Sequence, residues 1–151
     1  MCGISGIYNF KEKPIEQKNI IKKILSIQNF RGPDDNGIWE SDCKKVIFGH
    51  NRLSIIDLSI NARQPFISID QEYTITFNGE IYNYEEIKTE LINNGKRFKS
   101  NSDTEVIIEA YKHWDLEFIK KMRGMFAFAI WDNKKKKLIL AREPFGIKPL
   151  Y

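Results

Sequence analysis

The sequence predicts a mixed α+β domain in which strands predominate over helices. Segments with the two-residue period of strands alternate along the chain with segments whose apolar residues recur every three or four positions. No internal repeat or flexible linker interrupts this alternation. A chain of 151 residues is expected to fold as one domain that is large enough to bury a core.

The first three predicted elements are a strand, a helix and a loop. Residues 3–10 alternate apolar with small or polar side chains, which predicts a strand with one buried face. Apolar residues between positions 20 and 25 recur at helical spacing. Residues 31–37 are dense in turn-forming types and predict a loop.

The middle of the chain predicts two strands and two helices. Residues 46–50 and 73–77 are strand-like, and each segment ends in a polar or glycine corner where side chains can leave the sheet. Residues 84–92 carry helical spacing that Asn94-Gly95 closes, a C-terminal glycine signal. Ser102-Asp103-Thr104-Glu105 then opens a second helix with a capping-box pattern.

A hairpin is predicted near the C-terminus, where residues 127–131 and 138–141 flank a short polar segment. That segment contains the lysine run 134–137, which is more typical of a solvated turn than of a nucleic-acid site, and the net charge is only +4. The last residues, Leu150-Tyr151, are expected to lie within a strand rather than at a finished end.

Several classes of protein are disfavoured by the composition. No apolar stretch approaches the ~20 residues of a membrane helix, and no signal-peptide pattern opens the chain. The two cysteines, Cys2 and Cys43, give no disulfide framework, which favours a reducing, cytoplasmic setting. His50 and His113 lack metal-ligand spacing, so no metal site is expected.

The most informative chemical feature is the cysteine at position 2. Because this side chain is small, removal of Met1 by an aminopeptidase is expected, and it would leave a thiol and a free α-amine on one residue. An α-amine titrates near pH ~8, so a useful fraction is neutral base at physiological pH. A thiol beside its own general base is an activated nucleophile. The alternative is a chance cysteine in the first strand.

Three further polar segments lie where a strand is predicted to end or a helix to begin, which is where binding groups tend to sit. They are Arg52, Asn78-Gly79-Glu80 and the segment around Asp103. An arginine can clamp a carboxylate, and an aspartate can pair with an ammonium. An Asn amide and a following glycine N–H can stabilise a tetrahedral oxyanion. Glutamine carries all the groups that such a set would bind.

Each of these segments also has a purely structural interpretation. Arg52 could form a surface ion pair. The dipeptide Asn78-Gly79 by itself favours a type I′ hairpin turn. Asp103 could serve only as a helix cap, and Arg31-Gly32-Pro33-Asp34 is most often a plain turn. No single motif decides between the chemical and the structural interpretation.

In combination, the motifs resemble the N-terminal glutaminase domain of glutamine-hydrolysing asparagine synthetases, a class II (N-terminal-nucleophile) glutamine amidotransferase. The matching segments follow the family's order and cover essentially the whole chain. They are Met1-Cys2-Gly3-Ile4, Arg31-Gly32-Pro33-Asp34, Arg52-Leu53-Ser54-Ile55-Ile56-Asp57-Leu58, Phe77-Asn78-Gly79-Glu80-Ile81-Tyr82-Asn83, Ser102-Asp103-Thr104-Glu105, Arg123-Gly124-Met125-Phe126-Ala127-Phe128 and Phe145-Gly146-Ile147-Lys148-Pro149-Leu150-Tyr151. The segment after Arg52 resembles the asparagine synthetase branch rather than relatives that make glucosamine phosphate or phosphoribosylamine.

The resemblance implies a four-layer αββα sandwich of two antiparallel sheets between helices, incomplete at its C-terminus. It also implies that Cys2 is the nucleophile after Met1 is lost. Asn78 and the N–H of Gly79 are implied to form the oxyanion hole, and Arg52 to clamp the α-carboxylate of glutamine.

The remaining substrate contacts are implied in the same way. Asp103, with groups around Gly79 and Glu80, is implied to hold the ammonium of glutamine. Leu53 and Ile55 match positions that line the pocket through backbone contacts. Glu143-Pro144 departs from the Asp that many relatives carry there, but neither residue belongs to the implied site.

The implied activity is hydrolysis of glutamine to glutamate and ammonia, with residues 2–151 as the amidotransferase domain and the synthetase domain outside this chain. No cofactor is expected here, since ATP and Mg²⁺ are implied only for the synthetase domain. The expected partners are glutamine and that domain, with no nucleic acid or membrane, and a homodimer is one assembly this allows. Two alternatives stay open: a catalytically silent fold that acts as an interaction module, and a domain whose parent enzyme aminates another carboxylate.

Overall fold

The computed structural model describes residues 1–10 and 16–151, and within them it contains two antiparallel sheets and three α-helices. The strands are β1 (Gly3–Tyr8), β2 (Asp35–Glu40), β3 (Val46–Arg52), β4 (Phe66–Ile67), β5 (Tyr73–Ile81), β6 (Gly124–Asp132) and β7 (Lys137–Arg142). The helices are α1 (Gln17–Ile27), α2 (Tyr84–Asn93) and α3 (Asp103–Trp114), with 3₁₀ turns at Asn29–Arg31, Ile60–Ala62 and Asp115–Lys121. The strand orders are β1-β3-β2 and β4-β5-β6-β7.

The elements stack in four layers, and β3 shows why. Its side chains alternate between two covered faces: Ile47 packs with Ile21 and Leu25 of α1, whereas Phe48 packs between the sheets with Trp131 of β6. All seven residues of β3 are therefore buried. Helices α2 and α3 cover the outer face of the second sheet over the largest apolar cluster. The predicted αββα sandwich is thus confirmed.

The predicted C-terminal cap of α2 and the predicted N-terminal cap of α3 both form, but the cap of α3 is not a capping box. Gly95 has a φ of +79°, and the N–H of Lys96 donates to Leu91 O at 3.0 Å, which closes α2 as a left-handed glycine cap. At α3 the Ser102 hydroxyl accepts the N–H of Thr104. The carboxylate of Glu105 does not complete a capping box, because it accepts the N–H groups of Lys99 and Ser100 instead.

Two strands run further than predicted, and this corrects the corners assigned to them. Strand β3 continues to Arg52, and β5 continues through Asn78, Gly79 and Glu80 to Ile81. The hairpin turn favoured by Asn78-Gly79 is therefore wrong. Glycine is required at position 79 by close packing instead, since a Cβ there would clash with Met125 O on β6.

The predicted loop at residues 31–37 is partly wrong, because β2 already begins at Asp35 and pairs antiparallel with β3. The predicted hairpin is confirmed, since β6 and β7 pair from Asp132 with Lys137 onward. Lys136 sits in its turn with a φ of 49°. Pairing within the two sheets determines where the C-terminal ends of β3 and β5 lie.

Candidate active site

A cavity of about 140 Å³ lies where β3 and β5 end and α3 begins. It brings together residues that are far apart in the chain. Every site residue predicted from the sequence lines it: Cys2, Arg52, Leu53, Ile55, Asn78, Gly79, Glu80 and Asp103. The arrangement results from the sheet register, because Gly3 pairs with Asn51 and so sets Cys2 beside the end of β3.

The thiol of Cys2 is held by backbone groups of the loop that follows β3. Leu53 N donates to Cys2 Sγ at 3.4 Å, and Leu53 O lies 3.7 Å from the same sulfur. On the other side, Arg31 Nε donates to Cys2 O at 3.1 Å. Cys2 is therefore fixed on both sides, although it lies outside any strand.

The electrostatics of Cys2 favour a protonated thiol at neutral pH. Burial raises the pKa of the thiol above its ordinary value; the N–H of Leu53, the N-terminal charge and Arg52 oppose this only in part. A thiol in this environment needs a base to become a nucleophile. A neighbouring amine could act as that base for Cys2.

Arg52 is held in place by backbone carbonyls rather than by a carboxylate. Its Nη2 donates to Asp57 O, and its Nη1 donates to Ser59 O at 3.3 Å. Among the described residues it forms no ion pair, so the surface-pair interpretation does not hold. A guanidinium has five N–H donors, and those that the carbonyls leave free are available to a carboxylate in the cavity.

The loop after Arg52 is itself pinned by Asp57. The carboxylate of Asp57 accepts the N–H of Ser59 at 2.8 Å and that of Asn101 at 2.9 Å. It thereby ties the loop to the segment that leads into α3. The carbonyls that hold Arg52 are for this reason part of a fixed turn, while the side chain of Ile55 points outward and is 72% exposed.

Asn78 and Gly79 reach the cavity from β5. Asn78 is buried opposite Ala127 of β6. The strand places its side chain at the cavity wall, where the amide NH₂ is a potential donor. Gly79, which has no side chain, leaves the backbone next to Asn78 accessible from the cavity.

Asp103 is a buried carboxylate at the start of α3, and Ser102 rather than Asp103 caps that helix. Its Oδ2 accepts the N–H of Ile81 at 3.1 Å. Burial raises the pKa of Asp103 to about 6, and the negative charge of Glu80 adds to the effect, while hydrogen bonds from the N–H groups of Ile81 and Thr104 oppose it. A carboxylate that is poorly compensated in this way is suited to bind a cation.

The raised pKa predicts that Asp103→Asn stabilises the fold at pH 8. Because the folded-state pKa lies above the ordinary 3.8, the stability that the protonated form provides is complete below about pH 4 and is lost as the pH rises through 6. The asparagine never ionises, so the variant should unfold at higher denaturant at pH 8, by on the order of 1–3 kcal/mol. The two proteins should converge below pH 4.

Asp70→Asn is a control of opposite sign. Burial would raise the pKa of Asp70, but hydrogen bonds from Lys112, Ser68 and the N–H of Glu72 lower it to about 2. The stability that its charge contributes is present above pH 4 and is lost as the pH falls through 2, so Asp70→Asn should destabilise at pH 8. A loss of stability at pH 8 in Asp103→Asn would contradict the prediction.

The sequence assigns no role to Gln64 and Lys148, which line this cavity, or to Arg31, which donates to Cys2 O but does not line it. Gln64 accepts the N–H of Phe77 at 2.7 Å and donates to Thr104 Oγ1 at 3.3 Å, which joins β5 to α3 behind the site. Arg31 and Lys148 belong to segments that carried the family resemblance, so those motifs could have indicated them. No local pattern marks Gln64.

Two negative findings concern the described part of the chain. It holds no group of three or more histidine, cysteine, aspartate or glutamate side chains able to bind a metal ion. It also holds no helix of the length and apolarity that a bilayer crossing requires.

The comparisons with known proteins point to one family. Residues 1–151 match the model of the glutamine amidotransferase domain. The chain is 45% identical over 155 residues to asparagine synthetase [glutamine-hydrolyzing] 1 of Bacillus subtilis (strain 168), which includes all of this chain and 24% of the relative. It is 42% identical over 160 residues to amidase chry2 of Gibberella zeae, with the same two shares of 100% and 24%.

A solved structure shares the fold at lower identity. Glutamine phosphoribosylpyrophosphate amidotransferase of B. subtilis superposes on 95% of this chain and 38% of its own with a TM-score of 0.74 and 23% sequence identity. The chain spans about a quarter of the length of the curated relatives it matches.

Proposed function

This chain belongs to the glutamine amidotransferase domain family, and we propose that it hydrolyses glutamine to glutamate and ammonia through a thioester on Cys2. The observation that best supports this proposal is that one cavity is lined by Cys2, Arg52, Asn78 and Asp103. A thiol, a cation, an amide donor and a carboxylate are the groups that the two ends of glutamine require. Leu53, Ile55 and Glu80 complete the proposed substrate wall.

Glutamine would bind by its charged end. Arg52 donates two parallel hydrogen bonds to the α-carboxylate, and Asp103 accepts from the α-ammonium. Because the ammonium brings a positive charge next to Asp103, binding favours the ionised carboxylate. With that end fixed, the side-chain amide extends toward Cys2 and is held for attack.

Acylation then follows from the state of the thiol. After removal of Met1, the neutral α-amine of Cys2 takes the S–H proton, and the thiolate attacks the amide carbon of glutamine. The amide NH₂ of Asn78 and the N–H of Gly79 donate to the oxyanion that forms. The intermediate collapses with cleavage of the C–N bond, and the α-ammonium returns its proton to the departing nitrogen, which leaves as ammonia.

Deacylation uses the same groups. The α-amine, neutral again, takes a proton from water, and the resulting hydroxide attacks the thioester carbon. The C–S bond breaks, Cys2 recovers its proton and glutamate is released. No metal or nucleotide takes part in either half-reaction.

The ammonia would be consumed by a synthetase part that amidates aspartate, as the name of the B. subtilis relative suggests. Activation of a carboxylate needs ATP, yet the chain has no Walker loop and no glycine-rich segment that opens a helix. We therefore assign ATP and Mg²⁺ to the part outside these 151 residues.

The test is to supply the purified chain with glutamine, aspartate, ATP and Mg²⁺ and to measure glutamate, AMP and asparagine separately. We expect glutamate that disappears in Cys2→Ala and persists in Cys43→Ala, with neither AMP nor asparagine. Asparagine, or AMP that depends on aspartate, would contradict the division of labour. A folded chain that binds glutamine but forms no glutamate would favour the silent interaction module.

A second candidate concerns the acceptor of the ammonia. The amidase of G. zeae matches the chain nearly as well as the asparagine synthetase does, at 42% against 45% identity. The glutaminase half would then be the same and only the acceptor would differ. Competition between candidate carboxylates in the protein that carries the ATP-dependent part would distinguish the two.

The carboxylate clamp predicts a binding defect in Arg52→Ala. Loss of a charge-assisted contact costs roughly 1.5–3 kcal/mol, so the KM for glutamine should rise about 10- to 150-fold with a smaller effect on kcat. Arg52→Lys should recover part of the loss, because lysine keeps the charge without the planar fork. Steady-state kinetics measure both values.

Arg97→Ala is the matched control, since Arg97 is an exposed arginine that does not line this cavity. Its KM should equal that of the unaltered chain. An unchanged KM in Arg52→Ala would remove Arg52 from the substrate site.

A further inference from the structure

Lys148 is a buried cation beside the N-terminus that the proposed chemistry does not yet use. Only 5% of its surface is exposed, and it lines the cavity with Cys2. Its Nζ lies 3.0 Å from Met1 Sδ. Among the described residues no carboxylate lies within 4.0 Å of this ammonium.

The position of Lys148 is fixed by the turn that precedes it. The carboxylate of Glu143 is buried and accepts the N–H of Lys148 at 2.9 Å. The turn is closed by Gly146 N, which donates to the backbone Glu143 O at 3.2 Å. Gly146 permits the turn with a φ of +68°. The backbone therefore presents Lys148 to the cavity from a defined point.

A methionine sulfur is a weak acceptor for a buried ammonium. Burial of a charge without a good partner is costly. Loss of Met1 removes this sulfur and frees the α-amine of Cys2, a residue that lines the same cavity. A neutral amine has a lone pair that accepts a hydrogen bond from an ammonium, whereas a protonated amine has none and is repelled.

We propose that Lys148 is a positioning residue that keeps the freed α-amine of Cys2 in its neutral, proton-accepting form. The inference rests on the proposed function, because it assigns that amine the role of general base. It also accounts for a lysine that is buried without a carboxylate at this point in the fold.

The other charges around the amine must be weighed with Lys148. On the positive side, Arg52 lines the cavity and Arg31 donates to Cys2 O. The negative groups are Asp103 and Glu80, which lie on the walls formed by α3 and β5, and Asp57 on the loop after β3. Among these cations, Lys148 is the one bonded to Met1, the residue whose removal frees the Cys2 amine. Substitution of Lys148 therefore isolates the effect of one charge on the pKa of the α-amine.

The charge of Lys148 also favours one direction of proton transfer. When the amine takes the S–H proton of Cys2, two ammonium groups lie in the same cavity. The repulsion favours return of that proton to the nitrogen that leaves glutamine. The atoms balance, since the same proton leaves the thiol and departs with ammonia.

The direct test uses Cys2→Ala, from which Met1 is also removed because alanine is small. The α-amine is titrated by ¹⁵N NMR in this background with Lys148, with Lys148→Met and with Lys148→Arg. We expect Lys148→Met to raise the amine pKa by about one unit and Lys148→Arg to restore it. Lys120→Met, at an exposed lysine paired with Glu117, should change nothing.

This titration needs no glutaminase activity, so it separates failure of the inference from failure of the proposed function. In the chain with Cys2 intact, Lys148→Met should lower kcat/KM roughly tenfold on the acid limb and leave it unchanged at high pH. An unshifted amine in a folded Lys148→Met protein would overturn the proposal. If Lys148→Met does not fold, Lys148→Gln replaces it as the neutral variant: an amine pKa raised by about one unit supports the proposal, and an unshifted amine overturns it.

Discussion

A chain that keeps any residue ahead of Cys2 is expected to hydrolyse no glutamine. Acylation of the α-nitrogen turns the amine into an amide, which is not a base. The structure adds a steric reason, because Met1 lines the same cavity as Cys2 and Arg52. Since burial also raises the pKa of the Cys2 thiol, little thiolate would form without that base.

The experiment compares one polypeptide before and after cleavage. An N-terminal tag ends in a protease site that leaves Cys2 as the first residue, and intact mass verifies each form. Glutamate release should be absent from the tagged protein and present after cleavage. Full activity with the tag in place would show that the α-amine is not the base.

Asn78→Ala is expected to lower kcat by roughly 100- to 1000-fold, the effect of removing one oxyanion-hole donor. The KM should change little, because the donor acts on charge that develops only in the transition state. The location of Asn78 in the middle of a paired strand supports this role. A residue in a hairpin turn would instead affect stability alone.

Asn78→Asp is the matched variant, since it keeps the shape of the side chain and removes the NH₂ donor. It should lose at least as much kcat as Asn78→Ala, because its carboxylate also opposes the negative charge of the oxyanion. Asn83→Ala controls for a structural asparagine, because Asn83 bonds Lys121 O and the N–H of Arg123 outside the cavity. Normal kcat in Asn78→Ala would leave Asn78 with a packing role only.

Local patterns in the sequence predicted the helices and the hairpin better than the sheet. Periodicity located α1 and α2 because their buried faces repeat every turn, and the glycine at position 95 ended α2 as expected. The ends of these strands are predicted too early, because the polar residues at 50–52 and 78–80 are typical of corners. They remain in β3 and β5 because pairing with a neighbouring strand, which is not local information, includes them.

The candidate site, like the sheet, depends on contacts between residues that are distant in the sequence. Each motif by itself had a structural explanation, and only the combination indicated that Cys2, Arg52, Asn78 and Asp103 would meet. The structure does bring them to one cavity. Gln64 could not be predicted, because its importance lies in hydrogen bonds that join two elements 13 and 40 residues away.

The proposed mechanism requires that glutamine hydrolysis passes through a covalent bond to the Cys2 sulfur. Rapid mixing of the processed chain with glutamine, acid quench and intact-mass analysis with peptide mapping test it most directly. We predict a γ-glutamyl adduct on the N-terminal peptide that forms before glutamate accumulates, is lost in Cys2→Ala and is retained in Cys43→Ala. Steady glutamate production with no adduct on Cys2, or with an adduct on another residue, would contradict the account.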